Sequence, residues 1–232
     1  MPINPSNARA KILDDIRNSL GDRPLSDKKR AALETRLNAP QKGIIPKRSD
    51  VSGPQLSQLF TQMAEGVQAS VVELSSLQDV PGAIADYLAA HNLPSKLKLA
   101  DHETLNSIDW QKRPTLSISK GASAGDDLVS LSMAFSGIGE TGSLMMLSGP
   151  DGPTTLNFLP ESHLVVLKKS DLVGSYEESW DRLRVRQKKN GGDLPRTVNF
   201  ITGPSRTGDI EQTILLGAHG PHRLHIMLVD DA

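Results

Sequence analysis

Gly137-Ile138-Gly139-Glu140-Thr141-Gly142, followed at once by Ser143-Leu144-Met145-Met146-Leu147, is the stretch on which the reading of the fold turns. The glycine string matches G-x-G-x-x-G. A dinucleotide site of that spacing needs a strand before it and a helix after it, because the pyrophosphate sits on the helix N-terminus. Here a compact apolar run follows, of the kind buried in sheets. The sequence therefore predicts a tight turn between two strands, with Glu140 and Thr141 at its tip, and no Rossmann site.

Outward from that turn, strand and helix periods alternate. On the C-terminal side, Leu164 to Leu167 is a second apolar run and Tyr176 to Lys189 a charged amphipathic helix. Thr197 to Ile201 reads as a strand, Gly208 to Leu216 as a helix, and Leu224 to Val229 as the last strand. On the N-terminal side, Leu56, Leu59, Phe60, Met63 and Val67 form a helix stripe, followed by a strand around Val71-Val72. Asp79 to His91 is a helix opened by Pro81. Strands are expected at Leu97-Leu99, at Leu116-Ser117-Ile118, and from Asp127 to Ala134, where Val129, Leu131 and Met133 alternate. Such alternation predicts an α/β domain with an open, mostly parallel, mixed sheet.

Residues 1–50 read differently. Ser6 opens and Gly21 closes an amphipathic helix whose stripe is Ile12, Leu13, Ile16 and Leu20. A second, weaker helix runs from Ser26 to Leu37, and the stretches around Pro24 and from Ala39 to Pro54 are linkers. Too little apolar surface is present for this arm to fold alone. Two regions are expected: a helical arm with its linker at 1–50, and an α/β domain at 51–232.

Composition narrows the chemistry. The 232 residues are 37% hydrophobic and 23% charged, with a formal net charge of −1, so no basic field favours nucleic acid or an anionic membrane surface. There is no cysteine, which excludes disulfides, thiolate zinc, a cysteine nucleophile and a self-held iron–sulfur cluster. The sequence shows no signal-peptide core and no apolar run approaching the ~20 residues of a membrane span. A cytoplasmic location is the expectation.

Three loops could carry chemistry. In the first, Glu140 is either a solvated carboxylate on a glycine turn or a general base or nucleophile near a ligand, with Gly139, Thr141 and Gly142 beside it. The second is Gly203-Pro204-Ser205-Arg206-Thr207-Gly208-Asp209-Ile210-Glu211. Read as a strand-to-helix loop, it lies at the carboxyl end of its strand, where open α/β sheets bind ligands. Ser205 or Thr207 would cap the helix. Arg206 would then offer a planar fork to a carboxylate or phosphate, or simply pair with Asp209 or Glu211. The third, Gly217-Ala218-His219-Gly220-Pro221-His222-Arg223-Leu224-His225, spaces three histidines by three. Gly220-Pro221 breaks any helix that would align them, and His225 falls in a strand, so a turn with hydrogen-bonded histidines is expected and no metal. His163, after Leu159-Pro160-Glu161, is assigned a structural role.

In order the loops read G-E-T-G-S, L-P-x-x-H, G-P-S-R-T-x-D-I-E and G-x-H-G-P-x-R-L-H. This series resembles the LUD-domain family, and within it the lactate utilisation protein C branch, over roughly Val51 to Asp230. The run from Ile201 to Arg223 is its most specific part. The resemblance implies a fold like that of ribose-phosphate isomerases, glucosamine-phosphate deaminases and CoA transferases. It also implies a part in oxidising L-lactate to pyruvate beside iron–sulfur partner proteins that carry the clusters, with no cofactor on this chain. A carboxylate or anion pocket is expected, with Arg206 as clamp, Glu140 opposite, and Gly139, Thr141, Gly142, Ser205, Thr207, Asp209, Glu211 and His219 around it. Two other readings stand beside this one: a free-standing isomerase- or CoA-transferase-like enzyme using Glu140, and a non-catalytic structural subunit.

Overall fold

The structure is a computed structural model that describes residues 5–21, 25–189, 191–210 and 213–231. Contacts divide the chain into two compact units, residues 1–43 and 44–232. The first holds α1 (Pro5–Leu20) and α2 (Asp27–Asn38). Gly21, at φ +68°, ends α1 in the left-handed conformation, and Ser26 caps α2 by accepting from the Lys29 amide. The apolar stripe Ile12, Leu13, Ile16 and Leu20 is exposed, and α2 buries no residue.

The second unit contains, in chain order, α3 (Gly53–Gly66), β1 (Ser70–Leu74), α4 (Val80–Ala90), β2 (Lys96–Leu99), α5 (Glu103–Asn106), β3 (Ser117–Lys120), β4 (Val129–Met133), β5 (Ser136–Ile138) and β6 (Ser143–Leu147). Then follow α6 (Thr155–Phe158), β7 (Ser162–Lys168), β8 (Leu172–Val173), α7 (Tyr176–Lys189), β9 (Val198–Ile201), β10 (Arg206–Ile210), β11 (Thr213–Leu216) and β12 (Arg223–Val229). Six strands form one parallel sheet in the order β1-β12-β7-β4-β2-β3. A second sheet, β8-β5-β6-β9, is mixed: β5 runs parallel to β8 and antiparallel to β6, which is antiparallel to β9.

The apolar runs become central strands because both of their faces are covered. On one face of the large sheet, Leu131, Leu164, Val166, Met227 and Val229 join Ile84 and Leu88 of α4 in a single core. On the other, Val165, Leu167, Ile226 and Leu228 meet Phe60 and Ala64 of α3 together with Leu144 and Met146 of the small sheet. Met145, between those two, points away and contacts Ser179 of α7, whose hydroxyl also bonds Ser136 at 2.5 Å. The β6 alternation thus splits between the inter-sheet core and the α7 side.

Three expectations need correction. The helix expected from Gly208 to Leu216 is replaced, among the described residues, by strand. β10 pairs antiparallel with β11, with an irregularity between Thr207 and Ile210. The β-branched residues Thr207, Ile210, Thr213 and Ile214 favour extended backbone, and Gly208 weakens a helix start. β4, expected to alternate at Val129, Leu131 and Met133, instead buries Ser130 and Ser132 along with Val129 and Leu131. Ser130 meets that burial by donating to the Leu156 carbonyl at 2.6 Å. Third, residues 44–50 belong to the domain. Ser49 is buried, and its carbonyl lies 2.2 Å from where a Cβ on Gly174 would stand.

Candidate functional site

The glycine turn is a hairpin tip, as its sequence implies, and it faces a helix. β5 and β6 pair through Ile138 and Ser143, and the Gly142 amide donates to the Ile138 carbonyl at 2.9 Å. Gly142 has φ +66°, and a Cβ there would lie 2.2 Å from the Ala64 nitrogen of α3. A Cβ on Gly139 would lie 2.6 Å from a Leu56 methyl. The close approach these glycines permit is to α3. Glu140 is 8% exposed, so it is not the solvated tip of a loose turn. Its amide donates to the Gly174 carbonyl, and its carbonyl accepts from the Arg48 guanidinium at 3.1 Å.

Behind the turn lies a cluster of hydroxyls. Ser143, fully buried, has its Oγ 2.7 Å from Thr141 Oγ1, 2.9 Å from the Tyr176 hydroxyl and 2.5 Å from Thr202 Oγ1. Thr141 closes the ring by donating to Tyr176 at 3.1 Å. Phe200 meets the Tyr176 ring edge-on. Thr202 is exposed, so the cluster runs from the buried hairpin out to solvent.

The solvent end of that cluster opens into a cleft of about 300 Å³ whose wall includes His163, Thr202, Ser205, Arg206 and His219, with Phe158 and Leu224 as apolar lining. Backbone bonds join its two outer loops: the Ser205 amide donates to the Pro221 carbonyl, and the Gly217 amide to the Ser205 carbonyl, both at 2.9 Å. The loop from Gly203 is placed otherwise than expected. Leaving β9 of the small sheet, it reaches the amino ends of β7 and β12, where His163 and Leu224 are each second in their strand. Arg206 is the exposed first residue of β10, so neither Ser205 nor Thr207 caps a helix and no helix dipole assists the guanidinium. The Asp209 side chain and Glu211 lie outside the described residues.

His163, read from the sequence as structural, stands on the wall of this cleft. It has no exposed surface, its Nε2 lies 2.6 Å from Ser132 Oγ, and its Nδ1 has no partner. Burial holds its pKa down at about 3, so the ring is neutral near pH 7. The orphaned Nδ1 is itself covered, so a ligand in the cleft reaches it only if the side chains over it shift. Its only sequence signal was its place in L-P-x-x-H. Thr202 and Tyr176 carried none, since their partners lie far along the chain.

The cleft unites Ser205, Arg206 and His219 but not Glu140, which sits beyond the hydroxyl cluster and does not line it. The three spaced histidines separate. His219 and His222 are exposed, whereas His225 is buried in β12, stacked on Tyr87 and 2.8 Å from Ser70 Oγ. Among the described residues no group of three or more histidine or carboxylate side chains could hold a metal ion.

Fold and cleft together define an open α/β domain with a second, smaller sheet and a small cleft of mixed lining at the amino ends of its central strands. Residues 57–229 match the LUD domain, and the chain belongs to the LUD-domain family, in its lactate utilization protein C branch. It is 25% identical over 214 residues to lactate utilization protein C of Exiguobacterium sp., covering 88% of this chain and 92% of that one. The protein of the same name from Geobacillus thermodenitrificans is 25% identical over 213 residues, covering 84% of this chain and 88% of the relative. In structure the chain is similar to a DUF162 family protein from Deinococcus radiodurans, with a TM-score of 0.55, 18% identity, and coverage of 77% of this chain and 99% of that one.

Proposed function

We propose that this protein serves lactate utilisation by holding a small 2-hydroxy or 2-oxo carboxylate in the amino-end cleft. One observation carries the ligand class: a buried neutral histidine with an unpartnered nitrogen shares a small cleft with an exposed guanidinium and two hydroxyl side chains. Arg206 would take the carboxylate through its planar fork, and His163 Nδ1, uncovered by a shift of the side chains over it, would meet the oxygen on the neighbouring carbon. If Ser132 accepts from Nε2, Nδ1 is a bare acceptor suited to a hydroxyl. If Ser132 donates, Nδ1 carries a proton suited to a keto oxygen.

Oxidation of L-lactate to pyruvate releases two electrons and two protons. A chain without cysteine holds no iron–sulfur cluster of its own, so in this reading the electrons leave through iron–sulfur partner proteins and this subunit supplies binding. The names of its relatives support the pathway. A free-standing isomerase or CoA transferase acting through Glu140 gains no specific observation, because that residue sits at the buried hairpin tip and outside the cleft.

The test is calorimetric titration of L-lactate, D-lactate and pyruvate into the purified full chain, into His163→Gln and into Arg206→Lys. Saturable binding of one of these acids, weakened in both variants, is the expected result. Binding unaffected by either change would overturn the reading.

A further inference from the structure

The central strand β7 has a second end, and the chain opens a second cleft there. At the carboxyl end of β4 the backbone leaves the large sheet: the Ala134 amide still donates to Val166 of β7, whereas the Phe135 amide already donates to Met145 of the small sheet. β7 does the same at Lys168, passing through a short turn into β8, which pairs with β5. Two neighbouring parallel strands thus cross from one sheet to the other at their carboxyl ends, the place where open α/β sheets bind ligands. The gap left there is a cavity of about 190 Å³.

Its lining is rich in nitrogen donors. Lys168 ends β7, His102 follows β2, and Arg186 comes across from α7 with its guanidinium carbon 5.6 Å from the centre of the Phe135 ring. His102 accepts the Thr104 amide on Nδ1 at 3.2 Å, so the neutral ring carries its proton on Nε2 and is a donor there. Lys168 is in no ion pair within 4 Å among the described residues, whereas its neighbour Lys169 is taken by Glu73 and Asp230. Of the carboxylates, Asp171 is paired with Arg182. Asp231, whose field reaches Lys168, is bonded by the Ser170 amide and hydroxyl. Asp151, held in the Gly149–Gly152 turn, is left to accept a proton-bearing oxygen.

We infer that this carboxyl-end cleft is a second ligand site, for a small anion with several oxygens, bound by Lys168, Arg186 and His102. The volume suits an ion of a few heavy atoms, with the chemistry of a phosphate or of a short dicarboxylate. The inference is independent of the amino-end cleft, which lies at the opposite ends of the same strands.

The experiment titrates inorganic phosphate, and separately malonate, into the full chain at low ionic strength. Wild type, Lys168→Met, Arg186→Gln and Arg206→Lys are compared, with circular dichroism checking that each is folded. Saturable binding of at least one anion is expected, weakened about tenfold or more by Lys168→Met and by Arg186→Gln. Phosphate alone saturating marks a phosphate site, and malonate alone a carboxylate site. The Arg186→Gln change lies on an exposed helix face and decides the matter if Lys168→Met does not fold. The inference fails if neither anion saturates below about 10 mM. It fails equally if binding follows Arg206 and ignores Lys168 and Arg186.

Discussion

His163 and His225 are both buried with no compensating carboxylate among the described residues, and burial, joined at His225 by repulsion from His91, lowers their pKa values to about 3 and about 4. In the unfolded chain both should titrate near 6.5. Between pH 6.5 and 4 the unfolded state therefore binds protons that the native state refuses. Stability from these residues is complete above about pH 6.5 and is lost as pH falls toward the native values. Each should add about 1.4 kcal/mol per pH unit to the loss in that window. Urea unfolding across this range should show the slope, and His163→Gln should reduce it by about one proton. An unchanged slope would mean that the native ring is already charged. For Arg206, lysine keeps the charge and loses the fork, so Arg206→Lys should weaken carboxylate binding by about 1.5–3 kcal/mol, roughly ten- to hundred-fold. The unliganded melting temperature should barely move, since an exposed arginine contributes little to folding. A fall in melting temperature with unchanged affinity would make the residue scaffold.

At the scale of elements, the β5–β6 hairpin matters because its tip is wedged against α3. Gly142→Ala places a methyl carbon 2.2 Å from a backbone nitrogen in a left-handed conformation. We expect a loss of about 3 kcal/mol or more, measured by chemical unfolding, because backbone on both sides of the contact must move. Gly208, with open space where its Cβ would be and no positive φ, should tolerate alanine with a change on the order of 0.5 kcal/mol. This hairpin tip was legible in the sequence: a glycine turn followed by an apolar run fits few other structures. The β10–β11 hairpin was not. Ile210 and Ile214 stand four residues apart, as on one helix face, and so short a span fits either period. The β-branched content and Gly208 were the available counter-signals.

For the whole molecule, the boundary near Gly43 makes a sharper truncation test than removal of the arm and linker together. A chain beginning at residue 44 should stay folded, with its melting temperature close to that of the full protein. One beginning at residue 51 also loses Ser49 and the Arg48 bond to the Glu140 carbonyl. That charged bond is worth about 1.5–3 kcal/mol, so its loss should lower the melting temperature by on the order of 5 °C. Equal melting temperatures for the two truncations would show that residues 44–50 add nothing to the domain.

Outside the β10–β11 pair, whose sequence reads as a helix, the sequence by itself determined most of the helices and buried strands, because hydrophobic period and glycine placement are local properties. It also determined that no thiolate chemistry resides on this chain, because composition alone decides that. Tertiary structure decided what those elements face. Ser143 and Thr202 lie 59 positions apart and meet only because β6 pairs with β9. His163 is a cleft residue because the Gly203 loop, arriving from the small sheet, closes over the amino end of β7. Lys168 lines the opposite cleft because β4 and β7 both change sheet at their carboxyl ends. Strand order and sheet crossing depend on long-range pairing and on how two faces share one core. No local pattern encodes them, so most elements could be read from the chain while the place of its clefts could not.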